Sequence, residues 1–328
     1  MRSQISRNIR FPGFFLPVQT VLPFTRFTRR YTNLNLYIIM FFITEGVGTI
    51  ICAALVCAFA YFWFNSTSNH EEMDTNPAHV KILNLCCSFC DAAYDSKVLD
   101  GAQLEKKIHV PCTEFYDWDN KENRAITFVT KADVDLSPLF GPGTDEVVVI
   151  SFRGTSNFSE TVEDIRAAGQ REYRVDGQNN FTAAKGFLDA YDDIKEKKID
   201  GKNILDIVCQ SANKCGRHVL IVGHSLGGAV AQAMASELSL CNPHFKIAVV
   251  TYGQPRLYSA ASAKSKWSYE HWRVVNQGDP VPTLPPCELG FSHHGKAFHF
   301  ETKQVDVTRG CLSIFVSYNL NIIRISGR

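Results

Sequence analysis

The stretch from Arg217 to Ala229 constrains this chain more than any other. An apolar run, His218 to Val222, breaks at Gly223-His224-Ser225-Leu226-Gly227 and passes into Gly228-Ala229-Val230-Ala231, a helix-forming segment. A strand that turns sharply into a helix with a serine at the corner predicts an α/β fold and a nucleophilic serine. Such a turn holds the serine in a strained backbone conformation, so the residues two before and two after must lack a side chain that would clash. Gly223 and Gly227 stand at those positions. The helix start directs N–H groups and a partial positive charge to the point where an oxyanion would form.

A serine hydroxyl needs a histidine to take its proton and an acid to orient that histidine. In the fold that houses this turn, both follow the serine in the chain, acid first. Asp279 ends the apolar run from Trp272 to Asn276 and opens a proline-fixed loop, a rigid seat for an orienting acid. Glu270, Glu288 and Asp306 compete with it on spacing alone. For the base, His293 and His294 come after Asp279, whereas His244 and His271 precede it. His293, His294 and His299 crowd into seven residues, but no cysteine or carboxylate completes a zinc spacing, so neither a metal nor another cofactor is expected. A second oxyanion donor is expected after an earlier strand. The β-branched run from Glu146 to Phe152 ends in Arg153-Gly154-Thr155, where Thr155 offers an N–H and a hydroxyl.

Five blocks together resemble the class 3 (fungal-type) lipases of the α/β-hydrolase superfamily. They are Phe152–Thr155, Lys185–Tyr191, Gly223–Gly228, Thr251–Arg256 and Val274–Pro285, and the resemblance runs from about residue 81 to about 311. It implies an α/β-hydrolase with a mostly parallel central sheet, a Ser225-Asp279-His293 triad, and oxyanion donors at Thr155 and Leu226. Arg153 and Asp164 match positions that brace the oxyanion loop. The implied reaction is hydrolysis of acylglycerol esters at a lipid surface through an acyl-enzyme, without a cofactor. A phospholipase A1, an acyltransferase or a non-catalytic lipase-like module are the alternatives. The sequence departs from the family's pattern at Thr161, where a lid tryptophan is common. It departs again at Leu257-Tyr258-Ser259, and at Lys296–Phe300, where a Glu-Tyr-Trp-like ending is usual. The lid is expected over residues 156–169, with Phe158, Val162 and Ile165 sharing one helical face.

The rest of the chain predicts a compartment. Residues 1–35 hold six of the 34 basic residues and no acid, leaving 28 bases against 33 acids and no broad basic surface for nucleic acid. Gly46 to Phe64 is uncharged and long enough to span a bilayer, with apolar Leu36–Ile43 before it. The expected organisation is an Arg-rich arm (1–35), a transmembrane or signal-anchor segment (36–64), a polar linker (65–80) and one hydrolase domain (81–328). The arginines place the N-terminus in the cytosol and the hydrolase domain in the lumen or outside. An organellar transit peptide, or cleavage after Ala58-Phe59-Ala60, are rival readings. Sequons at Asn65, Asn157 and Asn180 and nine cysteines after the apolar segment agree with an oxidising compartment. Cys209 and Cys215 are expected to close a short loop, and the resemblance implies a tie from Cys311 to the Cys86–Cys90 helix.

Overall fold

A computed structural model of the protein describes residues 76–300 apart from 99, 120–122, 132–133, 145, 156–168, 176 and 277, and without the side chains of 178–180 and 300. The arm, the apolar segment, the lid stretch with Asp164, Phe158, Val162 and Ile165, the sequons at 65 and 157, and Cys311 lie outside the described residues.

Helix α1 (Pro77–Tyr94) starts where the Asn76 side chain accepts the Ala78 N–H at 3.0 Å and Pro77 occupies the first turn. It starts four residues before the expected boundary at 81. Helix α2 (Gly101–Ile108) is capped by Asp100. Strands β1 (Cys112–Asp119) and β2 (Arg124–Thr130) follow, then the short α3 (Ser137–Phe140) and β3 (Val148–Phe152). Strands β4 (Gln170–Val175) and β5 (Gln178–Ala184) lead to α4 (Lys185–Glu196) and α5 (Ile204–Lys214). Strand β6 (His218–His224) runs straight into α6 (Leu226–Cys241). The remainder is β7 (Lys246–Tyr252), β8 (Tyr258–Ser259), α7 (Ala260–Ala263), β9 (Tyr269–Asn276), β10 (Phe291–Ser292) and β11 (Lys296–Phe300).

Seven strands form the main sheet in the order β1-β2-β3-β6-β7-β9-β11. Pairing is antiparallel from β1 to β3 and parallel from β3 to β11. A four-stranded antiparallel sheet, β10-β8-β5-β4, stands beside it. Period-two alternation along the central strands feeds two cores. Val219 and Ile221 of β6 pack with α4, α5 and α6, while Leu220 and Val222 pack with α1 and α2. Helix α6 is buried nearly all round, and its run of Gly and Ala lets it lie close on the sheet.

Two polar nodes lock these layers. Arg124, 1 % exposed, spends all five guanidinium donors: two on Asp117 and one each on the carbonyls of Ala93, Asp95 and Val98. It thereby fastens the end of α1 to the sheet. Glu237 of α6 accepts from Tyr173 and Tyr191 at 2.7 Å each and from Lys195 at 2.5 Å. A buried carboxylate with three donors meets the condition under which burial of charge is tolerated.

The expected Cys209–Cys215 bridge is corrected by the structure, in which both residues are thiols. Cys209 lies within α5 and Cys215 caps its end, so helical rise alone separates them by about 9 Å, beyond the span of a disulfide. The Cys209 sulfur instead accepts from Asn242 Nδ2 across the groove to α6, at 3.6 Å.

Candidate active site

The turn between β6 and α6 has the expected strain. Ser225 adopts φ 56°, ψ −129°, a region that side-chain-bearing residues rarely enter. Its N–H donates to Tyr252 O at 2.9 Å, and its carbonyl accepts from Gly228 N at 2.9 Å. The flanking glycines are required by space. A Cβ on Gly223 would lie 2.3 Å from the Gly227 carbonyl oxygen, and one on Gly227 would lie 2.4 Å from the Phe152 carbonyl oxygen. Ser225 is 3 % exposed and its Oγ has no hydrogen-bond partner among the described residues, an unusual state for a buried hydroxyl.

The Arg153–Thr155 loop closes on this corner. A Cβ on Gly154 would meet Ser225 Cβ at 3.2 Å, so the loop after β3 lies against the serine. Arg153 N donates to Arg124 O at 2.8 Å, and Thr155 is half-buried at the end of the described loop. Leu226 opens α6 immediately after the serine.

Tyr94 is the residue that sequence reasoning missed. Its hydroxyl accepts the Gly154 N–H at 3.0 Å and lies 2.8 Å from His224 Nδ1. One proton lies between the phenol and Nδ1, on whichever of the two the histidine tautomer leaves as donor. Burial pushes the His224 imidazolium down to about 3, so this ring is neutral. One phenol thus clamps the loop after β3 to the residue before the serine. Tyr94→Phe leaves an N–H and a ring nitrogen unsatisfied, and is expected to cost about 1–3 kcal/mol, read as a lowered urea midpoint.

The neutral state of His224 has a pH consequence. Its folded value lies below the unfolded value of about 6.5, so the unfolded chain takes up the proton first as pH falls. The stability this ring contributes is complete above about pH 6.5 and is lost toward pH 3. Urea midpoints at pH 7, 5 and 4 are expected to fall in that order.

Asp279 follows β9 on a short 3-10 turn, Val281–Thr283, and its Oδ1 accepts from Val281 N at 2.9 Å. Arg256 holds this loop from outside: its Nη1 donates to the carbonyls of Thr283 and, at 2.8 Å, Pro285. Arg256 was part of a matching block, but nothing in its sequence position announced the loop it would hold.

The histidines are placed differently from the expectation. His293 directs Nε2–H to the Pro282 carbonyl at 2.8 Å, and its Nδ1, buried, has no partner. Burial, with Arg273 and Arg256 nearby, holds this imidazole well below the usual histidine range, so it is neutral with its lone pair on Nδ1. His294 lies with Nδ1 3.3 Å from Ala263 O and its ring stacked 6.2 Å from His271. His299 is on β11. Among the described residues no histidine nitrogen reaches Ser225 Oγ. Ser225, Gly154 and the start of α6 are brought together; a hydrogen-bonded Ser-His-Asp chain is not formed.

A mostly parallel sheet, a strained serine between strand and helix, and a glycine loop against that serine are the arrangement of an α/β-hydrolase fold. Residues 149–289 match the family model for Lipase (class 3). The lipase of Rhizomucor miehei is 29 % identical over 232 residues, covering 69 % of this chain and 54 % of that protein. Secreted mono- and diacylglycerol lipase A of Penicillium cyclopium is 31 % identical over 152 residues, 46 % of this chain and 47 % of that one. The chain thus spans about half the length of the curated relatives it matches. In fold, it superposes with a TM-score of 0.54 and 21 % identity on a triacylglycerol lipase whose structure is described as having a serine protease triad, covering 70 % of this chain and 83 % of that one.

Proposed function

We propose that the protein is a serine lipase that hydrolyses carboxylic esters of acylglycerols, with Ser225 as the nucleophile. The observation that carries this reading is Ser225 itself: a strained, buried serine at a helix start, its Oγ committed to no other group among the described residues. Strain and an unpaired buried hydroxyl each cost stability, and sites that keep both are typically catalytic. In the proposed reaction Ser225 Oγ attacks the ester carbonyl and the N–H groups of Thr155 and Leu226 receive the oxyanion. Asp279 and His293 serve as acid and base, and water then releases the fatty acid. The relative from Penicillium is named for mono- and diacylglycerols, which favours partial glycerides among the substrates to be assayed.

The position of His293 sets a condition on this chemistry. With Nε2–H held by Pro282, its basic nitrogen is Nδ1, so the ring must turn from Pro282 before Nε2 can take the serine proton. The same observation favours a second reading, a lipase-like domain that binds lipid without turning it over. A fluorophosphonate probe separates the two. Labelling at Ser225 that requires His293 supports the hydrolase with this base. Labelling that survives His293→Ala assigns the base elsewhere, and no labelling at all favours the silent domain.

We also propose that the segment before residue 65 tethers the domain to a membrane with the hydrolase on the lumenal or outer side, where it meets a lipid surface. The support is the uncharged run from Gly46 to Phe64 behind six arginines. Protease protection of the domain in intact microsomes, lost on adding detergent, is the expected result.

A further inference from the structure

Three residues, His293 to Gly295, link β10 of the small sheet to β11 of the main one. The backbone of this link rests on one side chain. Gly295 has φ 93°, and a Cβ there would lie 2.6 Å from the His271 carbonyl oxygen, 2.7 Å from His271 Cγ and 2.8 Å from its Cβ. A glycine laid against His271 meets both the angle and the space. The His294 ring lies stacked on that of His271, 6.2 Å between centroids, and meets Tyr269 edge-on at 5.5 Å. His271, on β9, is buried.

The His271 ring is itself held from the serine side. Its Nε2 lies 3.1 Å from Thr251 Oγ1, which donates to Gln254 Oε1 at 2.8 Å. Gln254 Nε2 in turn donates to Gln232 Oε1 on α6. These groups touch the serine corner twice. Tyr252, next to Thr251, accepts the Ser225 N–H at 2.9 Å, and a Cβ on Gly228 would stand 3.0 Å from Gln254 Cβ. His271, Thr251, Gln254 and Gln232 are all buried, and buried polar side chains bonded in series stiffen a core and fix one arrangement of it.

We propose that His271 is a positioning residue for His293: it seats the link that carries the base, in a place set relative to Ser225 by Thr251, Gln254 and Gln232. The role rests on the reading of Ser225 and His293 as nucleophile and base. With the backbone of the link kept on its seat, turning His293 away from Pro282 takes side-chain torsions alone. A seat that gives way by about 1 Å costs on the order of a hundredfold in rate, although His271 touches no substrate.

Steady-state hydrolysis of a short-chain ester by the full chain, below the melting point of every variant, tests the role. His271→Ala is expected to lower kcat about 100-fold with KM within about twofold of wild type. His271→Gln keeps a flat amide under Gly295 and a partner for Thr251, and is expected to recover about tenfold of that loss. Thr251→Val cuts the series with little change of shape and is expected to lower kcat about tenfold, which keeps the role falsifiable should His271→Ala not fold. A kcat within about threefold of wild type in His271→Ala, or in Thr251→Val where the former does not fold, makes the contact structural only and overturns the role. A loss confined to KM overturns it too. A wild type that neither hydrolyses esters nor takes a fluorophosphonate instead fails the esterase reading. Hydrogen exchange over residues 291–300 decides the seat in that case: faster exchange in Thr251→Val with α4 unchanged supports it, and unchanged exchange overturns it.

Discussion

Ser225→Ala is expected to abolish ester hydrolysis while leaving the protein at least as stable as the wild type. Removing the nucleophile of a triad costs up to roughly a million-fold in kcat where it has been measured in a protease. The stability arm follows from the geometry. Because Ser225 Oγ is buried with no partner among the described residues, truncation to alanine breaks no hydrogen bond seen there and removes a desolvated hydroxyl. The change is therefore expected to be neutral or to stabilise by about 1 kcal/mol, a pattern common where a functional group is held at the expense of stability. Rates on a short-chain ester and urea unfolding of both proteins check the two arms. Residual activity within tenfold of wild type removes Ser225 from the chemistry. A loss of more than about 2 kcal/mol shows that its hydroxyl has a structural partner after all.

Gly223→Ala is expected to have the largest effect on the fold. The added methyl would sit 2.3 Å from the Gly227 oxygen, 2.5 Å from its carbonyl carbon and 2.7 Å from Gly228 N. All three are backbone atoms of the first turn of α6, which is itself clamped in the core, so nothing flexible is available to yield. The expected loss exceeds about 4 kcal/mol, a large part of a typical domain's stability. Gly186→Ala in α4 is the matched control. No atom lies within 4 Å of the added carbon there, and a helix gains up to about 1 kcal/mol from the exchange. Far-UV circular dichroism against urea measures both. A Gly223→Ala protein within 1 kcal/mol of wild type contradicts the packing described for the turn.

The parts legible in the sequence are those encoded by neighbours in the chain. The run from His218 predicted a strand, the two glycines a tight corner and the Ala-rich continuation a helix; the structure has all three, with β6 extending to His224. The β-branched run before Arg153 is β3, and the run before Asp279 is β9. What was not legible depends on contacts between distant residues. Tyr94 is 130 positions from the histidine it bonds, and Arg256 is 29 from the carbonyl it holds at Pro285. The disulfide expectation failed on helical rise, since a spacing of six suits a loop but not one face of α5. For His293, spacing and resemblance supplied a position after the acid. They did not supply the direction of its N–H, which the Pro282 carbonyl decides.

The phenol that spans Gly154 and His224 also sets an order of events in folding. Tyr94 leaves the ribosome far ahead of both its partners, and the contacts it makes close loops of 60 and 130 residues. Long loops are entropically costly to close and are closed late unless local structure shortens the path. The parallel strands around β6 can pair before α1 docks, but the corner that carries Ser225 is braced only when it does. A chain in which the first described helix has not docked would hold a formed sheet around an unbraced centre.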